Sequence, residues 1–278
     1  MIGIIPAAGR GSRLKPITDA IPKELLICGN KPLIEHALDS MKIAGINRVC
    51  IVTGHKKGPL MDFIKDGALY NIDVDYVYQT RALGLGHAIL CTKNKTKDDG
   101  GDLFVLNGDT VIEPKTILSE MARVHKKEKS VATLLVHEVS DPRRWGVAKL
   151  DGFKSNIAQV TKLFEKPQNE SEWKEFERDG KYYAIVGVYC LSQKIYDYLE
   201  KTAPGRGNEI QLTDAIEAAI KNKEKVIAMH FSGSWLDIGT PKTFLLAQWD
   251  FFRNKKEAEV LALAAEWDEH ASKANLTG

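Results

Sequence analysis

The feature that most constrains the fold is a regular alternation of short apolar runs and helical patterns through the first 128 residues. Four apolar, partly β-branched runs predict strands: residues 2–6, 48–53, 74–78 and 103–106. Four segments after these runs predict helices: residues 33–41, 60–64, 84–90 and 114–127. Such alternation requires crossover connections, so we expect a mainly parallel sheet covered by helices on both faces.

The second half of the chain has a different texture, with strand patterns separated by polar loops instead of long helices. These strands are predicted at residues 130–138, 146–150, 159–164, 183–190 and 226–231. We interpret them as antiparallel additions to the same sheet. Helical patterns cover residues 194–199 and 212–221, and from Thr243 the chain is expected to be helical to near its end.

Composition excludes several classes of protein. The 278 residues carry 39 basic and 37 acidic side chains, so no global basic field indicates nucleic acid or a membrane surface as a partner. No apolar stretch approaches the roughly 20 residues of a membrane span, and no signal peptide is apparent, so we expect a cytoplasmic protein. The four cysteines are scattered without a C-x-x-C pair, which argues against a zinc site and a disulfide framework.

A glycine-rich, basic loop follows the first strand. Gly9, Gly11 and Ser12 permit close backbone approach, and Arg10, Arg13, Lys15 and Lys23 supply four cations, a combination suited to a triphosphate. The alternative is an ordinary turn with solvated charges. The loop is neither a Walker A motif nor G-x-G-x-x-G, since no Gly-Lys-Ser/Thr follows and the third glycine is missing.

Polar residues also follow two other predicted strands, at Gln79 and at Asn107-Gly108-Asp109. Because open α/β sheets bind ligands beyond the carboxyl ends of their strands, these residues and the glycine-rich loop are expected to meet in one cleft. Asp109 alone could equally be a turn residue after a strand.

Several motifs together resemble the sugar-1-phosphate nucleotidylyltransferases, also called nucleotide-sugar pyrophosphorylases. The likeness begins with Gly3-Ile4-Ile5-Pro6-Ala7-Ala8-Gly9-x-Gly11-Ser12-Arg13 and Pro22-Lys23-Glu24-Leu25. It continues, in the family's order, through Gln79, Ala82-Leu83-Gly84-Leu85-Gly86-His87-Ala88, Asn107-Gly108-Asp109, Gly146-Val147, Phe164-Glu165-Lys166-Pro167, Gly187-Val188-Tyr189, Asn208-Glu209-Ile210-Gln211-Leu212-Thr213-Asp214 and Trp235-Leu236-Asp237-Ile238-Gly239-Thr240.

The resemblance implies a Rossmann-like α/β fold with an added sugar-binding β region and a helical C-terminal tail. It implies one nucleotidylyltransferase domain at residues 1–242, divided into a nucleotide-binding half at 1–128 and a sugar-phosphate-binding half at 129–242, followed by the tail at 243–278. The implied reaction joins a pyrimidine nucleoside triphosphate and a sugar 1-phosphate to give a nucleotide sugar and pyrophosphate, with Mg²⁺ as cofactor. A homodimer or homotetramer is implied as well.

The resemblance also implies the site residues. The catalytic residues are Arg13, Lys23 and Lys166. The nucleotide-binding residues are Ala8, Gly9, Gly11, Ser12, Gln79, Gly84 and Asp109. The sugar-phosphate-binding residues are Gly146, Glu165, Lys166, Gly187, Glu209 and Trp235. The metal ligands are Asp109 and Asp237.

Within this family the motifs Pro-Lys-Glu-Leu and Glu-Ile-Gln-Leu-Thr-Asp-Ala-Ile are most similar to the UTP:glucose-1-phosphate uridylyltransferases. The segment Trp235 to Pro241 instead resembles the thymidylyltransferases or the N-acetylglucosamine-1-phosphate uridylyltransferases. A non-catalytic nucleotide-sugar-binding regulatory subunit of the same fold is the alternative from a different class.

Overall fold

A nine-stranded mixed β-sheet runs through the centre of the computed structural model, which describes residues 1–54, 57–97, 100–253 and 259. The strands of the described residues are β1 (Ile2–Pro6), β2 (Ile27–Cys28), β3 (Lys31–Pro32), β4 (Arg48–Thr53), β5 (Asp73–Tyr78), β6 (Leu103–Leu106), β7 (Thr110–Glu113), β8 (Ala132–Val139), β9 (Gly146–Lys154), β10 (Ile157–Glu165), β11 (Tyr182–Leu191), β12 (Val226–His230) and β13 (Ser234–Asp237). The spatial order in the large sheet is β5-β4-β1-β6-β11-β8-β12-β10-β9.

The α-helices of the described residues are α1 (Ile17–Ala20), α2 (Leu33–Ile43), α3 (Gly58–Ile64), α4 (Leu85–Cys91), α5 (Lys93–Thr96), α6 (Thr116–Glu128), α7 (Glu170–Trp173), α8 (Ile195–Leu199), α9 (Leu212–Lys221) and α10 (Pro241–Phe252). Short 3₁₀ turns cover Ser12–Leu14, Lys23–Leu25, Ala68–Tyr70, Lys174–Phe176 and Arg206–Asn208.

The first half forms the parallel sheet that its sequence predicts, since β5, β4, β1 and β6 all pair in parallel. Adjacent residues Ile4 and Ile5 of β1 are both fully buried, but they belong to different apolar cores because successive strand side chains point to opposite faces. Ile5 packs in the core that includes residues of α2 and α6, whereas Ile4 packs in the core that includes residues of α4 and α9. The predicted α/β fold with helices on both faces is therefore confirmed.

The second half adds mainly antiparallel strands, as expected, but one pair differs. β11 pairs antiparallel with both β6 and β8, and β10 pairs antiparallel with β9 and β12. β12, however, runs parallel to β8. The helices α8 and α9 return the chain to the end of the sheet where β11 stops, so β12 runs opposite to β11 and hence along β8.

Two small ribbons were not predicted from the sequence. β2 pairs with β3, and β7 pairs with β13, both antiparallel. Their strands are only two to four residues long, which is too short to show an alternating pattern. The β7–β13 ribbon positions the two predicted metal ligands, because Asp237 is the last residue of β13 and Asp109 lies directly before β7.

The C-terminal helix α10 begins at Pro241, two residues before the predicted start at Thr243. Thr240 caps it, because its hydroxyl accepts from Thr243 N at 3.2 Å while the Thr243 hydroxyl accepts from Thr240 N at 3.0 Å. The predicted continuation of the tail to residue 278 lies outside the described residues apart from Glu259. The domain boundaries at residues 128 and 242 stay predictions. Within the described part of the chain, no helix combines the length and apolarity needed to cross a membrane.

Burial of His36 on α2 makes the stability of the fold depend on pH. The ring contacts Cys28 O through Nε2 at 2.8 Å, and its Nδ1 is buried without a partner among the described residues. Burial lowers the pKa of His36 to about 4, although the contact with Cys28 opposes the shift. The folded protein therefore keeps this ring neutral at pH values where the unfolded chain already binds a proton.

The contribution of neutral His36 to the free energy of unfolding should consequently be completely present above about pH 6.5 and decrease as the pH drops towards 4. Between pH 7 and pH 5 we expect His36 alone to remove about 2 kcal/mol. The check is urea unfolding at both pH values for the wild type and for His36→Gln, whose amide N–H can still donate to Cys28 O. The pH-dependent loss should be smaller in the variant by about that amount, and an equal loss in both proteins would show that His36 is not responsible.

Candidate active site

The glycine-rich loop after β1 forms one wall of an open cleft with a volume of about 710 Å³. Gly11 has a left-handed φ of 63° and precedes the 3₁₀ turn Ser12–Leu14, a conformation that suits glycine because a Cβ is strained there. The hydroxyl of Thr18 donates to Gly11 O at 2.8 Å and closes the loop on itself.

The cleft lies where the sequence predicts it, beyond the carboxyl ends of β1, β5 and β6. Six of the predicted nucleotide-binding residues line it: Ala8, Gly9, Ser12, Gln79, Gly84 and Asp109. Lys23 lines it as well. Gly11 lines neither this cleft nor the second cavity described below, so its contribution is to the shape of the loop.

Lys23 is held against Asp109 at the base of the cleft. Its Nζ lies 2.6 Å from Asp109 Oδ2, and both side chains are largely buried. Burial alone would lower the pKa of Lys23, but the carboxylates of Asp109, Glu24 and Asp237 together outweigh it and raise the pKa. Lys23 is therefore a fixed ammonium group at neutral pH.

Behind Lys23 lies a fully buried ion pair. Lys57 Nζ donates to Glu24 Oε2 at 2.5 Å, and the two side chains are 5% and 0% exposed. The second oxygen, Glu24 Oε1, has no hydrogen-bond partner among the described residues. Burial lowers the pKa of Lys57 despite the neighbouring Glu24. The Lys57–Glu24 pair is thus a second ion pair next to the Lys23–Asp109 contact.

The β7–β13 ribbon brings the two predicted metal ligands together. In its register Asp237 faces Thr110, and Ile238 N donates to Asp109 O at 3.1 Å. Burial and the neighbouring Asp109 raise the pKa of Asp237, while Trp145, Arg13 and Lys23 act in the opposite direction. Asp109 and Asp237 thus both line the second cavity described below, and of these two residues Asp109 alone also lines the first cleft.

A second cavity of about 200 Å³ adjoins the first, and both are lined by Asn107, Asp109 and Glu209. The predicted sugar-phosphate-binding residues all line it: Gly146, Glu165, Lys166, Gly187, Glu209 and Trp235. Asp237 and Arg13 line this cavity too. The structure therefore places Arg13, which the resemblance assigns to the triphosphate, on the side of the second cavity.

Glu165 and Lys166 are held at the rim of the second cavity by several contacts. Lys166 Nζ lies 3.0 Å from Glu165 Oε1, and Glu165 Oε2 accepts from the Thr213 hydroxyl at 2.9 Å. The backbone is fixed as well, because Lys166 N donates to Trp145 O at 3.1 Å and Arg206 Nη1 donates to Lys166 O at 2.6 Å. Lys166 has a positive φ of 46°, which directs the chain out of β10.

Two glycines leave room in the second cavity. A Cβ on Gly187 would lie 2.6 Å from Asn107 Nδ2, and its φ of 78° already disfavours other residues. A Cβ on Gly146 would lie 3.0 Å from Glu165 Oε2. A larger residue at either position would therefore require a polar side chain that lines the cavity, Asn107 or Glu165, to shift.

Gln79 and Gly84 lie together at the far end of the first cleft. Gln79 Nε2 donates to Gly84 O at 3.1 Å and also lies 2.9 Å from His87 Nδ1. Gly84 has a φ of 93°, and a Cβ there would lie 2.7 Å from Glu209 Cβ. Gly84 thus packs closely against the segment that carries Glu209, and Ile210 N in that segment donates to Leu83 O at 2.7 Å.

The sequence did not predict contacts for Arg144, Trp145 and Thr213, which line the second cavity, or for Lys57, which pairs with Glu24. Trp145 Nε1 donates to Asp237 Oδ2 at 3.4 Å, its ring lies 5.0 Å from that of Trp235, and Arg144 Nη2 lies 3.8 Å from Asp237 Oδ2. The position of Trp145 directly before the Gly146-Val147 motif was the available signal. No sequence signal identified Lys57, because its burial depends on contacts with residues distant in the sequence.

The chain is similar to known nucleotidyltransferases. The model of the nucleotidyl transferase family matches residues 2–253. The low-salt glycan biosynthesis nucleotidyltransferase Agl11 of Haloferax volcanii is 30% identical over 248 residues, which is 89% of this chain and 65% of that protein. A UTP–glucose-1-phosphate uridylyltransferase of Staphylococcus epidermidis is 34% identical over 266 residues, covering 87% of this chain and 88% of that one.

A solved structure has a similar fold. A UDP-glucose pyrophosphorylase complexed with UDP-glucose superposes with a TM-score of 0.81 and 29% identity, over 91% of this chain and 99% of that one. The chain spans only about two thirds of the length of the Haloferax relative, whereas it spans nearly all of this structural neighbour.

Proposed function

The chain belongs to the nucleotidyl transferase family, and on that premise we propose that it transfers a nucleotidyl group from UTP or dTTP to a sugar 1-phosphate. Glucose 1-phosphate is the proposed acceptor, and the products are a nucleotide sugar and pyrophosphate. The observation that carries the proposal is the meeting of two cavities at Asp109 and Glu209. A reaction between two bound substrates requires two such sites that open onto one point.

In the proposed reaction an oxygen of the sugar phosphate attacks the α-phosphorus of the triphosphate. A new P–O bond forms, the bond to the β-phosphate oxygen breaks, and pyrophosphate leaves with the electron pair. The attacking oxygen is already anionic at neutral pH, so no residue has to remove a proton from it. Lys166 is proposed to hold the sugar phosphate, and Lys23 and Arg13 to stabilise the transferring phosphoryl group.

Asp109 and Asp237 are proposed to hold Mg²⁺. Burial and, secondly, the neighbouring Asp109 raise the pKa of Asp237, and a divalent cation would relieve the repulsion between the two carboxylates. No group of three or more His, Cys, Asp or Glu side chains in the described residues forms a metal site, but Mg²⁺ commonly uses one or two carboxylates with substrate phosphates and water. The residues therefore fit this ion, which when bound would neutralise the charge developing on the leaving pyrophosphate.

The sugar is proposed to bind between Glu165, Glu209 and Trp235. Carboxylates accept hydrogen bonds from hydroxyl groups, and an aromatic ring provides an apolar wall. Glu165 is already oriented by Thr213 and Lys166, so its binding geometry is preorganised.

A homodimer or homotetramer is proposed from the outer face of α10. Leu245 and Trp249, one helical turn apart, are 66% and 67% exposed, and Leu246 beside them is 52% exposed. Large apolar side chains grouped on one helix face are typical of an interface between protein chains. Light scattering would give the mass in solution, and a monomer would contradict this proposal. The cytoplasmic location stays a prediction from the sequence.

The proposed function is tested by a matrix of nucleoside triphosphates and sugar 1-phosphates, with pyrophosphate release as the readout. We expect release only when UTP or dTTP, a sugar 1-phosphate and Mg²⁺ are all present. The same matrix distinguishes the alternatives. A thymidylyltransferase would prefer dTTP as the triphosphate, and an N-acetylglucosamine-1-phosphate uridylyltransferase would prefer UTP with N-acetylglucosamine 1-phosphate. Binding of UTP without release for any pair would instead favour the non-catalytic regulatory subunit.

A further inference from the structure

We infer that His87, together with the Gly84 carbonyl, determines base specificity by holding the side-chain amide of Gln79 with its oxygen towards the nucleotide cleft. In this orientation the site selects a base with an N–H group at ring position 3, uracil or thymine, over cytosine. The inference rests on the proposed function, because it concerns the triphosphate that the reaction uses. His87 acts here as a positioning residue.

The orientation of the Gln79 amide follows from its contact with Gly84. One amide atom lies 3.1 Å from Gly84 O. A backbone carbonyl oxygen can only accept, so the atom that faces it must be the NH₂ group and not the amide oxygen. The acceptor character of Gly84 O therefore fixes which atom of the Gln79 amide is nitrogen and which is oxygen.

His87 holds the same NH₂ group through its second hydrogen. Its Nδ1 lies 2.9 Å from Gln79 Nε2, and because Nε2 can only donate, Nδ1 must be the acceptor. The His87 proton then resides on Nε2, which is the neutral tautomer. Burial, with a smaller effect from Arg81, lowers the pKa of His87, and the Cys91 thiol lies 3.6 Å from the same Nδ1. Neutral His87 is therefore the expected form at pH 7.

With both amide hydrogens engaged, the remaining polar atom of Gln79 is its oxygen. No described residue donates a hydrogen bond to Oε1, and this atom is not among the unpartnered polar atoms that are sealed from solvent. Since Gln79 lines the first cleft, its free acceptor is available to a ligand there. The site thus presents an acceptor whose identity is fixed before any base enters.

A fixed acceptor discriminates between pyrimidines. Uracil and thymine carry N3–H, which can donate to Gln79 Oε1, whereas N3 of cytosine is an acceptor and would face another acceptor. A buried polar group that is left without a partner carries a large penalty, so hydrogen-bonding sites reject mismatched analogues strongly. We expect the wild-type protein to prefer UTP over CTP by at least about a hundredfold.

The test compares the wild type with His87→Leu and His87→Asn. Leu removes the acceptor and allows the Gln79 amide to rotate, whereas the Asn side-chain oxygen can occupy the place of Nδ1. Equilibrium dissociation constants of UTP, dTTP and CTP are measured by calorimetry, together with kcat/KM for each triphosphate. The ratio of UTP to dTTP is an internal control, because these two bases have the same imide edge.

We expect His87→Leu to reduce the preference for UTP over CTP by about tenfold, a loss of roughly one hydrogen bond, while the UTP to dTTP ratio stays constant. His87→Asn should restore most of the preference. An unchanged preference in His87→Leu, or an equal loss of affinity for all three triphosphates, would overturn the inference. Equal loss of preference in Leu and Asn would also overturn it.

Protonation of His87 provides an independent readout. A proton on Nδ1 would place a donor against the NH₂ of Gln79, so the preference for UTP over CTP should fall as the pH drops below 6.5 in the wild type and not in His87→Asn. The ratio cancels titration of the phosphate groups, and His87→Asn, measured at the same pH values, controls for protonation of cytosine at N3. Absence of pyrophosphate release with every triphosphate would contradict the proposed function alone, since the binding ratios still test His87.

Discussion

Replacing Asp109 or Asp237 with Asn is expected to reduce kcat by about a thousandfold while leaving the fold intact. Each change removes one of the two carboxylates proposed to hold the cation, and a bound cation contributes several kcal/mol to stabilisation of a phosphoryl transition state. Asn has nearly the same size as Asp, and its amide oxygen can still accept from Lys23 Nζ. Because Asp109→Asn also removes the opposite charge of the largely buried Lys23–Asp109 pair, the free energy of unfolding of this variant is measured beside its activity. Pyrophosphate release under saturating substrates measures the effect.

The double variant gives a sharper result than either single change. If both carboxylates hold one ion, the loss in the double variant should be close to that of a single variant and far from the product of the two. Asp39→Asn is a suitable control, since Asp39 pairs with Lys31 away from the cleft and should retain full activity. Rates within about threefold of the wild type for Asp109→Asn or Asp237→Asn would refute the metal assignment.

Replacing Lys57 with Met is expected to destabilise the protein by about 3–5 kcal/mol, because it leaves the Glu24 carboxylate buried without a partner. Glu24 Oε1 already lacks a hydrogen bond among the described residues, so loss of Lys57 would leave both oxygens unpaired. The free energy of unfolding from urea titration at pH 7 measures the change.

Two further variants distinguish the destabilisation caused by the buried, unpaired charge of Glu24 from that caused by loss of the lysine side chain itself. Lys57→Met combined with Glu24→Gln removes the charge as well and should recover much of the stability. Lys93→Met breaks a pair with Glu200 that has the same 2.5 Å separation but lies at the surface, and should cost less than about 1 kcal/mol. Similar losses for Lys57→Met and Lys93→Met would contradict the argument from burial.

Much of the fold could be predicted from the sequence because its main elements are long and strongly patterned. The strand predicted at residues 48–53 is observed as β4 with the same bounds, and the helix predicted from residue 33 is observed as α2. The β2–β3 and β7–β13 ribbons could not be predicted, since strands of two to four residues carry no periodicity. The parallel pairing of β12 with β8 depends on where two helices return the chain, which is a property of packing.

The candidate site also has a part that could be predicted from the sequence and a part that could not. The glycine-rich loop, Gln79 and Asp109 were expected to meet because each follows a strand of one parallel sheet, and they line one cleft. Arg13 follows the same strand, but in the folded protein it lines the second cavity and not the first, which its position in the chain does not predict. The assignment of roles to these residues stays a prediction until the variants above are measured.

By itself the sequence determined the class of fold, the family and the set of polar residues that surround the cleft, since these depend on local periodicity and on motifs of adjacent residues. Only the tertiary structure decided which of those residues touch. The contact of β13 with β7 places Asp237 beside Asp109, burial pairs Lys57 with Glu24, and a carbonyl and an imidazole together orient the amide of Gln79. Each of these depends on distance and solvent exclusion between segments remote in the chain, which local sequence patterns do not encode.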